Sequence, residues 1–199
     1  MQTDQSRTAT VERTTKETDI RVTLTLDGTG EADVDTGVPF LDHMLDAMAR
    51  HGLLDLTVTA DGDTHIDDHH TVEDVGIVMG QAFAEALGEK VGIRRMGDAA
   101  VPMDEALVLG AVDFSGRGMS TVELGQLADR IGTFDTQLVR EFMWAFASNA
   151  GLTLHLHALA GVNSHHIVEA AFKALARALD AATTIDERVT GVPSTKGAL

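Results

Sequence analysis

The sequence predicts an α+β fold made by internal duplication: a two-layer sandwich of two similar halves, each a mixed, largely antiparallel sheet with helices on one face. Three repeated segments predict it. His69-His70-Thr71-Val72-Glu73-Asp74 returns as His165-His166-Ile167-Val168-Glu169-Ala170. The run His51 to Val58 returns as Asn149 to Leu156, an alternating strand after a helix. Leu26-Asp27-Gly28-Thr29-Gly30 returns as Phe114-Ser115-Gly116-Arg117-Gly118, a Gly-bearing turn after an alternating strand. Self-similarity at a fixed spacing marks a repeated supersecondary unit.

The elements follow in chain order. Residues 1–12 are polar and read as an N-terminal arm, with the first half over 13–94. Thr18 to Leu26 alternates apolar and polar side chains, the period of a half-buried strand. After the Gly turn and a second strand, Phe40 to His51 has helical spacing, and the strand through Val58 leads to a helix opening at His69. Val72, Val75, Val78 and Phe83 form its apolar stripe. Gly88, Gly92 and Gly97 then break the periodicity, and the second half runs over 95–185. It repeats the order, with a helix over Thr136 to Asn149 and another opening at His165 whose stripe is Ile167, Val168, Phe172, Leu175 and Leu179. Each half reads strand, turn, strand, helix, strand, helix. No Pro/Ser-rich linker separates the halves, so they are expected to pack as one unit. Residues 186–199 carry Gly191, Pro193 and Gly197 without periodicity and read as a C-terminal loop.

Composition removes several classes of function. With 15 Lys plus Arg against 31 Asp plus Glu and a formal charge of −16, the chain lacks the clustered cations that displace counterions from a phosphate backbone, so nucleic acid is not an expected partner. No apolar run approaches the ~20 residues of a membrane span, and the polar start carries no hydrophobic signal segment, so a cytoplasmic location is expected. The chain has no Cys, hence no disulfides and no thiolate ligands. An acidic, Lys-poor surface suits a protein adapted to salt. Stability should then rise when unfolding is followed from low to molar salt, and indifference to salt would refute the idea.

The chemistry lies in the histidines. Successive helical residues turn by about 100°, so His69 and Glu73 share one stripe while His70 stands to the side. Adjacent imidazoles do not easily share one ion but can serve two, and His165, His166 and Glu169 repeat the pattern, so a two-metal site is expected. The alternative is that the doublets cap helix starts and the glutamates favour the positive end of the dipole. The repeat also sets His43 opposite Glu141, a nitrogen donor in one half against an oxygen donor in the other; Glu141 also reads as an exposed helix charge beside Arg140. Imidazole and carboxylate donors suit Mn, Fe or Zn and disfavour Cu(I) or an iron–sulfur cluster. Among the few cations, Lys173 reads either as a helix pair with Glu169 or as a ligand for an anion. Ser194-Thr195-Lys196 combines hydroxyls, backbone N–H groups and one cation, an adequate phosphate cradle.

These residues resemble the imidazoleglycerol-phosphate dehydratase family of histidine biosynthesis. The matching blocks are Arg13-Thr14-Thr15-Lys16-Glu17 with Thr18 to Leu26, Phe40 to Leu45, Asp68 to Asp74, Pro102 to Ala106, Asp113 to Arg117, Asn163 to His166 with Glu169 and Lys173, and Pro193 to Gly197. The resemblance implies a homo-oligomer of 24 subunits, with active sites at subunit contacts around two Mn ions. It implies metal ligands at His43, His69, His70, Glu73, His165, His166 and Glu169. At Glu141 the family usually has His, and this chain departs from it with a carboxylate that still can ligate Mn. His157 likewise stands where Arg is more common. The resemblance places the substrate against Glu17, His51, Arg95, Arg117, Lys173, Ser194, Thr195 and Lys196, with Arg95, Arg117, Lys173, Ser194 and Lys196 at its phosphate. Catalytic roles fall on Glu17, His43, His69 and His165, with Glu17 an acid/base residue reaching in from a neighbouring subunit.

The implied reaction dehydrates D-erythro-imidazole glycerol phosphate to imidazole acetol phosphate. Its difficulty is that the departing proton is not acidic and hydroxide leaves poorly. Metal ions on the ring nitrogens favour an imidazolate whose electrons can expel the C3 hydroxyl, giving a diazafulvene-like intermediate from which a base takes the C2 proton. A binuclear hydrolase of phosphoesters would use the same donors and is the competing enzyme reading. A metal-storage scaffold is the non-catalytic one, although such bundles place Glu-x-x-His on long helices without intervening strands.

Overall fold

The computed structural model describes residues 7–199; residues 1–6 of the expected arm lie outside them. In chain order the elements are β1 (Thr8–Thr14), β2 (Thr18–Thr25), β3 (Ala32–Asp35), α1 (Pro39–Gly52), β4 (Asp55–Gly62) and α2 (His69–Leu87), then β5 (Met96–Met103), β6 (Ala106–Asp113), β7 (Met119–Glu123), β8 (Arg130–Ile131), β9 (Phe134–Asp135), α3 (Leu138–Ala150), β10 (Thr153–Ala160) and α4 (Ser164–Thr183). One sheet has the spatial order β1-β2-β4-β3 and the other β5-β6-β10-β7. In each, the first two pairings are antiparallel and the last is parallel. The halves therefore share topology strand for strand, as the repeat predicts, apart from the β8–β9 hairpin inserted before α3.

The order in each half corrects the sequence reading by one strand. Thr8 to Glu12, assigned to the polar arm, belong to the edge strand β1, which pairs with β2 along its whole length. Its counterpart β5 contains Gly97 and Pro102, residues that weaken a strand signal but are tolerated at an edge. The helix bounds shift by one or two residues at each end.

Strand burial alternates: Ile20, Val22 and Leu24 of β2 face inward, while Asp19 and Arg21 face water. Helices cover the inner face of each sheet, α2 over β1 and β2 and α4 over β5 and β6. The two helical layers then meet, and they meet crosswise: α2 packs on α3, and α1 on α4. Phe83 and Phe146 seal the first seam edge to face with ring centroids 5.2 Å apart, and Phe142 meets Phe172 at 5.4 Å. Each such fully buried side chain contributes about 1.5–3 kcal/mol. Gly76 and Gly80 let α2 approach the α3 backbone. A Cβ at Gly80 would stand 2.6 Å from the Phe146 carbonyl oxygen and 2.9 Å from the Ala150 nitrogen, and one at Gly76 would stand 2.9 Å from the Phe142 carbonyl oxygen.

The Gly turn before β3 is held by Asp55, whose Oδ1 accepts hydrogen bonds from the backbone N–H of Thr29 at 2.7 Å and of Glu31 at 3.2 Å. The Thr29 amide first, with the Glu31 amide and the Thr29 hydroxyl, keeps the Asp55 carboxyl below the usual carboxylate range despite partial desolvation. Its stabilisation is thus full above the unfolded pKa of about 4 and lost as pH falls through the lower folded value. Asp55→Ala should cost about 1 kcal/mol in urea unfolding at pH 7. The difference between variant and parent should vanish in strong acid; a constant difference would show that the carboxylate charge is irrelevant.

Candidate active site

Both histidine doublets stand at helix starts, as expected, but other side chains do the capping. Asn163 accepts from the His165 and His166 backbone N–H groups, and Asp67 accepts from that of His69 at 2.9 Å. The imidazoles are left for other work.

The crosswise helix packing brings His43 of α1 to His165 and Glu169 of α4, with one ligand-type atom of each within 4.8 Å of the others. Glu169 is 7% exposed. Its Oε2 lies 3.1 Å from His165 Nε2 and 3.4 Å from His43 Nε2, while its Oε1 accepts from Lys173 Nζ at 2.5 Å. Burial opposes the charge, but Lys173 first, with His165 and His43, outweighs it and the carboxyl sits below its ordinary value. Lys173, His51, His43 and Glu169 share an open cavity of about 400 Å³. Desolvation, then the charges of Lys173 and Arg177, pushes the His51 imidazole below the ordinary histidine range.

The second cluster is the duplicate of the first. His69 Nε2 lies 3.9 Å from Glu73 Oε2 on α2, and Glu141 of α3 shares with His69 a cavity of about 530 Å³. As α3 meets α2 the way α1 meets α4, Glu141 takes the place that His43 holds in the first cluster. This second set is looser, and among the described residues only the His43 set meets the 4.8 Å spacing.

The remaining histidine of each doublet turns to another carboxylate. His70 Nδ1 lies 3.0 Å from Asp63 and 4.0 Å from Glu17, and His166 Nδ1 lies 2.7 Å from Glu105. The hydrogen bond to Asp63 in one case and to Glu105 in the other holds these imidazoles above the ordinary histidine range. Glu105 is itself pushed down to about 2, first by His166 and then by backbone N–H groups. Glu17 rides on the β1–β2 turn, which Thr18 pins to α2 through a 2.5 Å hydrogen bond to buried Asp74; Arg13 reaches the same carboxylate at 3.0 Å.

Arg95, Arg117, Ser194, Thr195 and Lys196 line a separate cavity of about 170 Å³ with Ser115. Arg95 is clamped there, with Nε and Nη2 on Asp113 at 2.6 and 3.0 Å and Nη1 on the Pro193 carbonyl at 2.9 Å, which ties the C-terminal loop to the second half. Lys173, which the resemblance groups with these cations, stands in the His43 cluster paired with Glu169. Within one chain the structure thus gathers three groups: two imidazole–carboxylate clusters and one cationic cradle. His157 pairs with Glu123 at 3.2 Å, away from all three. Sequence reading missed Asp63, Glu105 and Asp113, which hold His70, His166 and Arg95. Glu105 and Asp113 lie in blocks that match the family without a role being read from them, and Asp63 stands only as a carboxylate at a strand end.

Fold and site together define an internally duplicated α+β protein that sets an imidazole–carboxylate cluster at each of the two equivalent seams between its halves. A family model described as imidazoleglycerol-phosphate dehydratase matches residues 36–179. Curated relatives of that name include one from Synechococcus elongatus, 60% identical over 97% of this chain and 93% of the relative, and one from Desulforamulus reducens, 59% identical over 98% and 99%. Among solved structures, imidazoleglycerol-phosphate dehydratase from Staphylococcus aureus superposes with a TM-score of 0.81 at 39% identity, covering 90% of this chain and 99% of its own. The Pyrococcus furiosus enzyme in complex with (S)-C348 gives 0.83 at 42% identity, covering 95% and 100%. The chain belongs to the imidazoleglycerol-phosphate dehydratase family.

Proposed function

We propose that the chain is a carbon–oxygen lyase that dehydrates D-erythro-imidazole glycerol phosphate to imidazole acetol phosphate, a step of histidine biosynthesis. The observation that carries this reading is the divided Glu169 carboxylate, one oxygen held by Lys173 and the other facing the Nε2 atoms of His43 and His165. That arrangement keeps an anionic oxygen beside two imidazoles with no thiolate present, a donor set that fits Mn. His43, His165 and Glu169 would hold one ion and His69, Glu73 and Glu141 a second, with His70 and His166 as further donors. Bound there, the ions would supply positive charge that favours the ionised form of the substrate's imidazole ring.

The chain's own residues do the rest. Arg117, Ser194, Thr195 and Lys196 bind the phosphate, and Arg95 shapes their cradle. Lys173 and His51 border the ring end of the substrate. Glu17, with a side chain 56% exposed, is free to move a proton at C2 or at the departing hydroxyl.

Three separated groups call for assembly. Ile66 and Val162 each stand three residues before a doublet and are 66% and 86% exposed, apolar surface of the kind that a neighbouring copy covers. An assembly of 24 subunits, with each site completed across a contact, accommodates both observations. A cytoplasmic setting fits a biosynthetic enzyme in which, among the described residues, no helix is long and apolar enough to cross a membrane.

The test is anaerobic metal analysis of the purified chain, followed by assay with imidazole glycerol phosphate before chelation, after it, and on return of Mn. A ketone product with phosphate retained supports dehydration; released inorganic phosphate would establish the hydrolase, and metal-dependent assembly without turnover the scaffold. Lys196→Ala should raise KM about 10- to 100-fold with a smaller change in kcat, the loss of one charge-assisted contact that substrate and transition state both use. An unchanged KM would move the phosphate elsewhere.

A further inference from the structure

Duplication identifies a second pair of carboxylates. Glu17 and Glu105 each stand nine residues before the matched turn residues Leu26 and Phe114, at the turn joining the first two strands of their half. They are counterparts, but their surroundings differ. Glu105 is committed: its Oε1 accepts from the backbone N–H groups of Val162 at 3.2 Å and Asn163 at 2.8 Å, and its Oε2 receives His166 Nδ1 at 2.7 Å. Glu17 comes no nearer than 4.0 Å to the equivalent His70 Nδ1. That atom is taken by Asp63, whose side chain is 13% exposed and 3.0 Å away. Asp63 directly follows β4, whereas the residue directly following β10 is Gly161, which has no side chain to offer.

An ionised carboxylate only accepts hydrogen bonds. Beside Nδ1 it therefore selects the tautomer with the proton on Nδ1, and the Nε2 lone pair is left to face away from it. Exposed Asp104 lies 3.8 Å from His166 Nε2, too far for a hydrogen bond. We propose that Asp63 and Glu105 are the positioning residues of the two clusters, each fixing one imidazole for ligation through Nε2, and that Asp63 thereby releases Glu17 for proton transfer. The two halves orient the same imidazole differently, the first with a carboxylate from the end of a strand and the second with its hairpin glutamate. The inference rests on the metal reading above.

Mn(II) alone is the probe, titrated into the metal-free full-length chain with unbound Mn(II) followed by electron paramagnetic resonance. Glu105→Gln and Asp63→Asn keep side-chain size and an acceptor oxygen, and each should weaken Mn(II) binding by roughly 10–100-fold. Melting of the metal-free protein should change little. Glu17→Gln should leave Mn(II) affinity within about twofold while turnover is lost, the split that separates a proton-transfer group from a positioning one. Asp63 makes no side-chain hydrogen bond besides that to His70 among the described residues, so its variant remains informative if Glu105→Gln disturbs the Val162–Asn163 loop. Parental uptake of Mn(II) with undiminished uptake by both variants would overturn this inference alone. A parent that takes up no Mn(II) would overturn the metal reading and this inference with it.

Discussion

Glu169→Gln is expected to remove one bound metal ion and to lower kcat/KM by about three orders of magnitude, near 4 kcal/mol of transition-state stabilisation. The substitution changes volume little but discharges the oxygen that faces His43 and His165, and it leaves the Lys173 ammonium beside a neutral amide. Either loss alone would weaken the cluster. Metal stoichiometry by mass spectrometry and steady-state kinetics are the measurements, with circular dichroism to show that α4 is intact. His165→Ala combined with His69→Ala should abolish both metal content and turnover, because each cluster then lacks an imidazole. Full stoichiometry in the double variant would send the ions to other ligands.

Gly80→Ala tests the seam between the halves and has the advantage that two effects oppose each other in sign. Helix propensity alone favours Ala over Gly by about 1 kcal/mol in a helix interior. Against this, the added methyl would sit 2.6 Å from the Phe146 carbonyl oxygen and 2.8 Å from the Asn149 Cβ, and backbone does not give way as a flexible side chain does. Overpacking of this kind costs about 1–3 kcal/mol, and more when backbone must shift, so net destabilisation of about 2 kcal/mol or more is expected in denaturant unfolding. The geometric consequence is specific: α2 moves off α3, separating His69 and Glu73 from Glu141, while the His43 cluster on the other seam is spared. Metal content should fall toward one ion per chain. A stabilised variant would mean that the helices are not in the close contact described.

The parts of this fold that could be read from sequence are those written twice. The doublets, the strands leading into them and the Gly turns carry side chains whose repetition at matching places has no cheap explanation, and the resemblance then attached roles to individual residues. The edge strands escaped notice because Gly97 and Pro102 interrupt β5 and because Thr-rich β1 alternates weakly against its polar flank. β8 and β9 are two residues each, too short for any periodicity. Among site residues, spacing pairs Lys173 with Glu169, as the structure does at 2.5 Å, whereas its place at the phosphate rests on the resemblance alone. Asp63 and Glu105 could not be found at all, since each acts on a histidine that is distant in sequence or lies across a turn, and a lone carboxylate at a strand end looks like any solvated charge.

The crosswise seams reach beyond this chain. Each cluster takes one helix from the first half and one from the second, so neither half owns a complete set of donors. A gene encoding only half the present length could have produced such a centre only by its product pairing with a copy of itself. In one continuous chain the two centres are free to differ, as the carboxylate at 141 and the imidazole at its counterpart 43 do.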